Sequence, residues 1–153
     1  MKGLERVKQF VDSKAVNAKI VQLNDSTRTS RLAAEALECS IAEIAKSIVF
    51  TGRRPMVVVM SGDKRVNIPK LKQLFGTDIK MASAEEVKSL TDYVIGGVPP
   101  FPHAKAVAVY ADSSLRRFGR VWAAAGEPNA VMNLGVEDII KIIGTEPIDV
   151  AED

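Results

Sequence analysis

Along the chain, apolar positions recur first at helical and then at strand spacing. Leu4, Val7, Phe10 and Val11 fall on one face of a first helix that ends near Ser13. Residues 19–23 alternate and predict a strand, which Asn24, Asp25 and Ser26 break as a loop. Thr27, Arg28, Thr29 and Ser30 lead into Leu32, Ala33, Ala36 and Leu37, a second helix packed through small residues. One of those hydroxyls should be its N-cap. Ser40 and Glu43 fit a capping box and predict a helical turn, after which residues 47–51 form a short, apolar, β-branched run typical of a buried strand. A turn at 52–55 leads to residues 56–60, a continuous apolar run expected of a central strand. Ser61, Gly62 and Asp63 then turn the chain into residues 64–67, so 46–67 reads as a β-meander.

Asn67 caps a short helix, with Pro69 in its first turn and Gly76 at its end. Residues 79–81 suit a short strand, and Ser83 with Glu86 is a second capping box, opening a helix through Val87 and Leu90. Residues 106–110 and 121–125 read as strands, and 126–129 as a turn before 130–134. The last helix carries Val136, Ile139, Ile140 and Ile143 on one face and stops at Gly144, leaving 147–153 as an acidic tail. Strands and helices intermingle, and no repeat or linker divides residues 1–153, so one domain is expected.

Two places break the regular pattern. Lys46 sits where the helical turn gives way to the buried strand, and an ammonium there is costly to desolvate unless an anion meets it or its stem snorkels to water. Residues 91–103 hold two glycines and three prolines, which exclude regular structure and fix an unusual backbone path. Such a loop is either a rigid surface turn or a cradle whose main-chain groups meet a ligand. His103 follows it, as a candidate base or a solvated loop residue. Thr27 and Thr29 suit a cap or a ligand contact, and Asp112 suits a cap or the orienting of a neighbour. Arg116, Arg117 and Arg120 make the densest basic cluster, a solvated face or a phosphate contact.

Composition narrows the chemistry. The chain is 46% hydrophobic and 26% charged, ordinary for a globular protein that buries a core. The single cysteine, Cys39, excludes an internal disulfide and a cysteine zinc site and reads as a small core residue. One histidine argues against a histidine metal site, so neither metal nor cofactor is expected. No apolar run reaches about 18 residues and no signal-peptide core precedes the first helix, which predicts a cytoplasmic protein with no membrane contact. A net charge of +2 makes any polyanion contact local.

Thr27-Arg-Thr29 before an Ala-Ala helix, Lys46-Ser-Ile-Val-Phe50, Ser61-Gly-Asp63, Gly96-Gly-Val-Pro-Pro100 and Tyr110-Ala-Asp-Ser-Ser-Leu115 stand in an order and spacing that resembles the YbaK/prolyl-tRNA synthetase-associated editing family. The likeness runs from about Thr27 to Gly144. It implies an α/β (α+β) fold: a mixed, partly closed, barrel-like sheet surrounded by helices. It also implies a free-standing deacylase that hydrolyses mischarged aminoacyl-tRNA, meeting the acceptor end of the tRNA and, by association, an aminoacyl-tRNA synthetase. Lys46 then matches the family's functional lysine, and Gly96 and Pro100 its G-x-x-x-P loop, with Gly97 inside it. Thr27, Thr29, Phe50, Val98, Asp112, Ala124 and Gly126 are the residues expected around the substrate.

An aminoacyl ester is already activated, so the implied reaction needs no covalent nucleophile, only a held ester, water and oxyanion donors. Lys46 would anchor the phosphate or ester end of the terminal adenosine. Some relatives carry serine or histidine in the strand that here reads Trp122-Ala-Ala-Ala-Gly126, so the resemblance names neither the amino acid removed nor a water-activating side chain. Prolines 99 and 102 replace small residues common in that loop. Two other readings use the same residues. One is a non-catalytic module that binds nucleotides, oligonucleotides or tRNA ends; the other is a Schiff-base enzyme built on Lys46.

Overall fold

β2 (Ile44–Thr51) and β3 (Met56–Ser61) form the middle of the sheet, antiparallel, with Val49 opposite Val57 and Phe50 opposite Met56. Every residue of β3 is buried, because both faces of this strand are covered. The computed structural model describes residues 1–25, 27 and 29–153. Ser26 and Arg28, predicted to belong to the loop and lead-in before the second helix, lie outside the described residues.

Around that pair the sheet runs β1 (Lys19–Gln22), β7 (Ala130–Gly135), β6 (Arg120–Ala124), β2, β3, β5 (Ala108–Ala111), with β4 (Lys80–Met81) pairing the far end of β2. β2–β6 and β3–β5 are parallel and the other pairings antiparallel, so the sheet is mixed, as expected. It is not closed into a barrel: β1 and β5 stand at opposite ends of the strand order and are unpaired with each other among the described residues.

Alternate side chains of the central strands feed different cores. Ala45, Val49, Val57 and Val59 join Leu4, Val7 and Val11 of α1 (Gly3–Ser13) and Ile139 of α5 (Val136–Ile143). Phe50, Val58 and Met60 pack instead on Leu71 of α3 (Ile68–Phe75) and on Val150. A smaller cluster joins Ile44 to Ala33 and Ala34 of α2 (Ser30–Leu37), with Cys39 and Trp122 against it. Cys39 thus has the packing role expected, and burial pushes its thiol pKa up. The remaining helix, α4 (Ala84–Thr91), opens on the predicted Ser83–Glu86 box, with the Glu86 carboxylate accepting from the Ser83 N–H at 2.9 Å and the Ser83 hydroxyl from the Glu86 N–H at 3.2 Å.

Two local expectations change. The Ser40–Glu43 box closes only one 3-10 turn, and β2 starts at Ile44, because Ile44 and Ala45 find partners in Trp122 and Ala123 of β6. Residues 64–67 add no third strand to a meander. Val66 makes a single bridge to Ala151, and the Asn67 N–H donates to the Val150 carbonyl at 2.7 Å. The stretch read as a tail is therefore built in, with Val150 fully buried.

Candidate active site

The sheet forks at β2. On the edge away from β3, β6 pairs only with Ile44 and Ala45, and β4 only with Phe50 and Thr51. Between them the edge of β2 has no neighbouring strand among the described residues, and a cavity of about 310 Å³ opens there. Lys46, Ser47, Ile48 and Val49 form one wall; Gly96 and Val98, Trp122 to Ala124, and Thr27 to Ser30 on the described positions supply others.

Lys46 reaches out of the strand to the Ser61–Lys64 turn. Its ammonium donates to the Lys64 carbonyl and to the Gly62 carbonyl, the latter at 3.4 Å. Burial lowers its pKa, the field of Asp63 opposes that, and Arg65 adds to it. No carboxylate lies within ion-pair distance among the described residues. The charge is half-buried and held by neutral oxygens.

The glycine–proline loop is rigid. The Gly97 N–H donates to the Val94 carbonyl at 2.9 Å, closing a turn whose third residue, Gly96, has φ +85°. That is the position where such a turn needs glycine. The Tyr93 hydroxyl donates to the Pro102 carbonyl at 2.8 Å, and Arg6 lies 4.3 Å over its ring. Burial pushes the Tyr93 pKa up to about 12, so the phenol keeps its proton. His103 Nε2 lies 2.8 Å from the Pro99 carbonyl, which makes Nε2 the donor. Burial lowers its pKa, and Nδ1 is buried without a partner. The histidine braces the loop in its neutral form.

Of the residues predicted from sequence, Lys46, Gly96, Val98, Ala124, Thr27 and Thr29 line this one cavity. Thr29 is also the N-cap of α2, accepting from the Leu32 N–H at 3.1 Å, and the Thr27 hydroxyl donates to the Pro128 carbonyl at 2.8 Å. The others lie off its lining. Phe50 is fully buried in the core with Leu71. Gly97 packs against the Glu127 main chain, and Gly126, at φ +99°, against that of Gly3. Pro100 and His103 line a separate cavity of about 380 Å³ beside β5. Asp112 is buried and fully engaged: its carboxylate accepts from the Ser114 N–H at 2.9 Å and the Val150 N–H at 2.8 Å.

The predicted basic cluster is not a free patch. Arg116 pairs with Glu137 and Glu146, Arg117 with Asp63, and Arg120 bonds Asn133 and the Asn17 carbonyl. One polar residue of the cavity lining was not among those predicted from the sequence. Ser47 lines the cavity with a buried hydroxyl that has no hydrogen-bond partner among the described residues. The available signal was a lone polar side chain inside an apolar strand. Among the described residues no group of acidic, histidine or cysteine side chains could hold a metal, and no helix is long and apolar enough to cross a membrane.

Residues 24–142 match the model of the aminoacyl-tRNA editing domain. The chain belongs to that family. It is an aminoacyl-tRNA deacylase, an ester hydrolase of translation fidelity. An uncharacterized Bacillus subtilis protein, YwhH, is 35% identical over 137 residues, covering 88% of this chain and 87% of its own. A proline–tRNA ligase of Thermosipho africanus is 36% identical over 93 residues, 60% of this chain but only 16% of that enzyme. A crystal structure of a candidate trans-editing enzyme for prolyl-tRNA synthetase superposes with a TM-score of 0.90 at 32% identity, over 100% of this chain and 99% of that one. The hypothetical protein APE2540 gives the same TM-score at 30% identity, over 96% and 99%.

Proposed function

We propose that this deacylase acts in trans on mischarged tRNA carrying a small, Ala/Cys/Pro-like amino acid, with Lys46 anchoring the acceptor end and main-chain N–H groups stabilising the oxyanion. The observation that carries this reading is that Lys46 and Gly96, fifty residues apart in the chain, line the same cavity. A half-buried ammonium without a carboxylate attracts the phosphate or ester oxygens of the terminal adenosine. A glycine turn braced by Tyr93 and His103 presents main-chain donors without a reorganisation cost. Water adds to the acyl carbon, the ester C–O bond breaks, and the ribose oxygen takes up a proton. No cysteine or histidine lines the cavity among the described residues, and because an aminoacyl ester is already activated the proposed chemistry needs no covalent nucleophile. The ribose hydroxyl beside the ester is the group placed to direct the water.

The walls support a small acyl group: Ala33, Ala45, Ala123 and Ala124 face the space with Val49 and Val98. A hydrophobic synthetase pocket separates amino acids that differ by a methylene by only about 1–3 kcal/mol, so a second, hydrolytic sieve is needed. The relation to proline–tRNA ligase supports work alongside a synthetase. A panel of charged tRNAs tests the proposal. One or two small-side-chain esters should be cleared rapidly, and Lys46→Ala should slow that loss on the order of 10²-fold or more, as removal of one oxyanion donor does elsewhere. Binding of tRNA ends without loss of any ester would leave a non-catalytic module instead.

A further inference from the structure

The fork leaves main-chain groups of β2 without partners. The Gly62 N–H donates to the Ile44 carbonyl at 2.7 Å, so even-numbered residues of this strand direct their peptide groups toward β3. The Ala82 N–H donates to the Val49 carbonyl at 2.9 Å, so odd-numbered residues direct theirs to the opposite edge. Ala45 is served there by β6, and Thr51 by β4. Ser47 lies between. Its N–H and C=O point into the fork, where no strand pairs with them among the described residues. Its hydroxyl, on the face shared with Ala45 and Val49, is buried and has no partner among the described residues either. Three polar groups of one residue therefore converge on a cavity in which each costs free energy until something bonds it.

We propose that Ser47 reads the free α-amino group of the substrate, the aminoacyl unit completing the missing rung of the sheet. This rests on the deacylase reading above and names what that site recognises. An aminoacyl ester carries what an open strand edge lacks: a carbonyl to accept from the Ser47 N–H, and an α-ammonium to donate to the Ser47 carbonyl and Oγ. No carboxylate lines the cavity among the described residues, so the ammonium is met by neutral oxygens. An N-acylated amino acid has one N–H in place of three and brings a bulky carbonyl against the fork. The enzyme then discriminates free aminoacyl-tRNA from N-blocked and peptidyl-tRNA by main-chain geometry plus one hydroxyl.

Binding of non-hydrolysable amide analogues of 3′-aminoacyl-adenosine, measured by calorimetry, tests this independently of turnover. The alanyl analogue with a free amine should bind at least about tenfold more tightly than its N-acetyl form, the scale on which an unpaired buried polar group is felt. Ser47→Ala should shrink that ratio severalfold, and Ser47→Thr should restore it. Equal affinity for the two analogues, or a ratio that Ser47→Ala does not move, overturns the proposal. If the ratio behaves as expected but no charged tRNA is deacylated, amine recognition stands and the hydrolytic reading falls.

Discussion

Arg117 holds the Asp63 carboxylate with two nitrogens, at 2.6 and 3.0 Å, one residue beyond the Gly62 carbonyl that receives the Lys46 ammonium. The hydrogen bond from Arg117 keeps the Asp63 carboxyl below its usual pKa and the carboxylate occupied. Lys46 feels Asp63 only as a field, which opposes the effect of burial on its ammonium. Arg117→Met should release that carboxylate to compete for the ammonium. For a partly exposed pair worth about 1 kcal/mol or less, kcat/KM on charged tRNA should fall by roughly fivefold at most. Adding Asp63→Asn should recover most of it; a double variant as slow as the single one would refute this coupling.

Ser47→Ala should stabilise the protein while weakening its recognition of substrate. The hydroxyl is buried without a partner among the described residues, and replacing an unsatisfied group by a methyl removes a desolvation cost of about 1 kcal/mol or more. In a chain of this size that raises Tm by roughly 2–4 °C, readable by calorimetry without ligand. A lower Tm would mean that the hydroxyl is bonded in the free protein.

Asp112→Ala should be among the most damaging substitutions outside the cavity. The carboxylate ties Ser114 after β5 to Val150 near the C-terminus, and its loss strands two N–H donors, one half-buried and one buried. Each charge-assisted bond contributes about 1.5–3 kcal/mol, so a loss of roughly 3 kcal/mol or more is expected in denaturant unfolding. Asp112→Asn, which keeps one acceptor, should lose about half as much.

His103 should make stability acid-sensitive. Burial holds its folded pKa below the ordinary value of about 6.5, and the Arg6 charge adds to that. As pH falls through about 6.5, the unfolded chain takes up a proton that the folded chain refuses, and stability drops until the folded pKa is reached. Above that window the neutral imidazole's contribution is fully present. His103→Gln, which can keep a donor toward Pro99, should flatten the Tm profile as pH falls below about 6.5. Parallel profiles for the two proteins would exclude the histidine as the cause.

Much of the architecture is written locally. Helical spacing in Leu4, Val7 and Val11, the Ser83–Glu86 box, the all-apolar β3 and the Gly144 stop are short-range signals, and each places its element. Residues 64–67 and 147–153 defeat the same reasoning, because their partners lie far away along the chain. Val66 meets Ala151, and Asp112 meets Val150. No periodicity encodes a rung made across so many residues.

The site divides the same way. Lys46 and the glycine–proline loop stand out in the sequence because charge at a buried strand and φ > 0 at Gly96 are chemically unusual wherever they occur. That they share a cavity with Ala124, whereas Phe50, Gly97, Pro100, Asp112 and Gly126 lie off its lining, follows from how β6 and β4 diverge along β2. The sequence by itself determined which side chains could not be ordinary. The tertiary structure decided which of them face one space, and exposed Ser47, because an unpaired strand edge exists only where two neighbouring strands part.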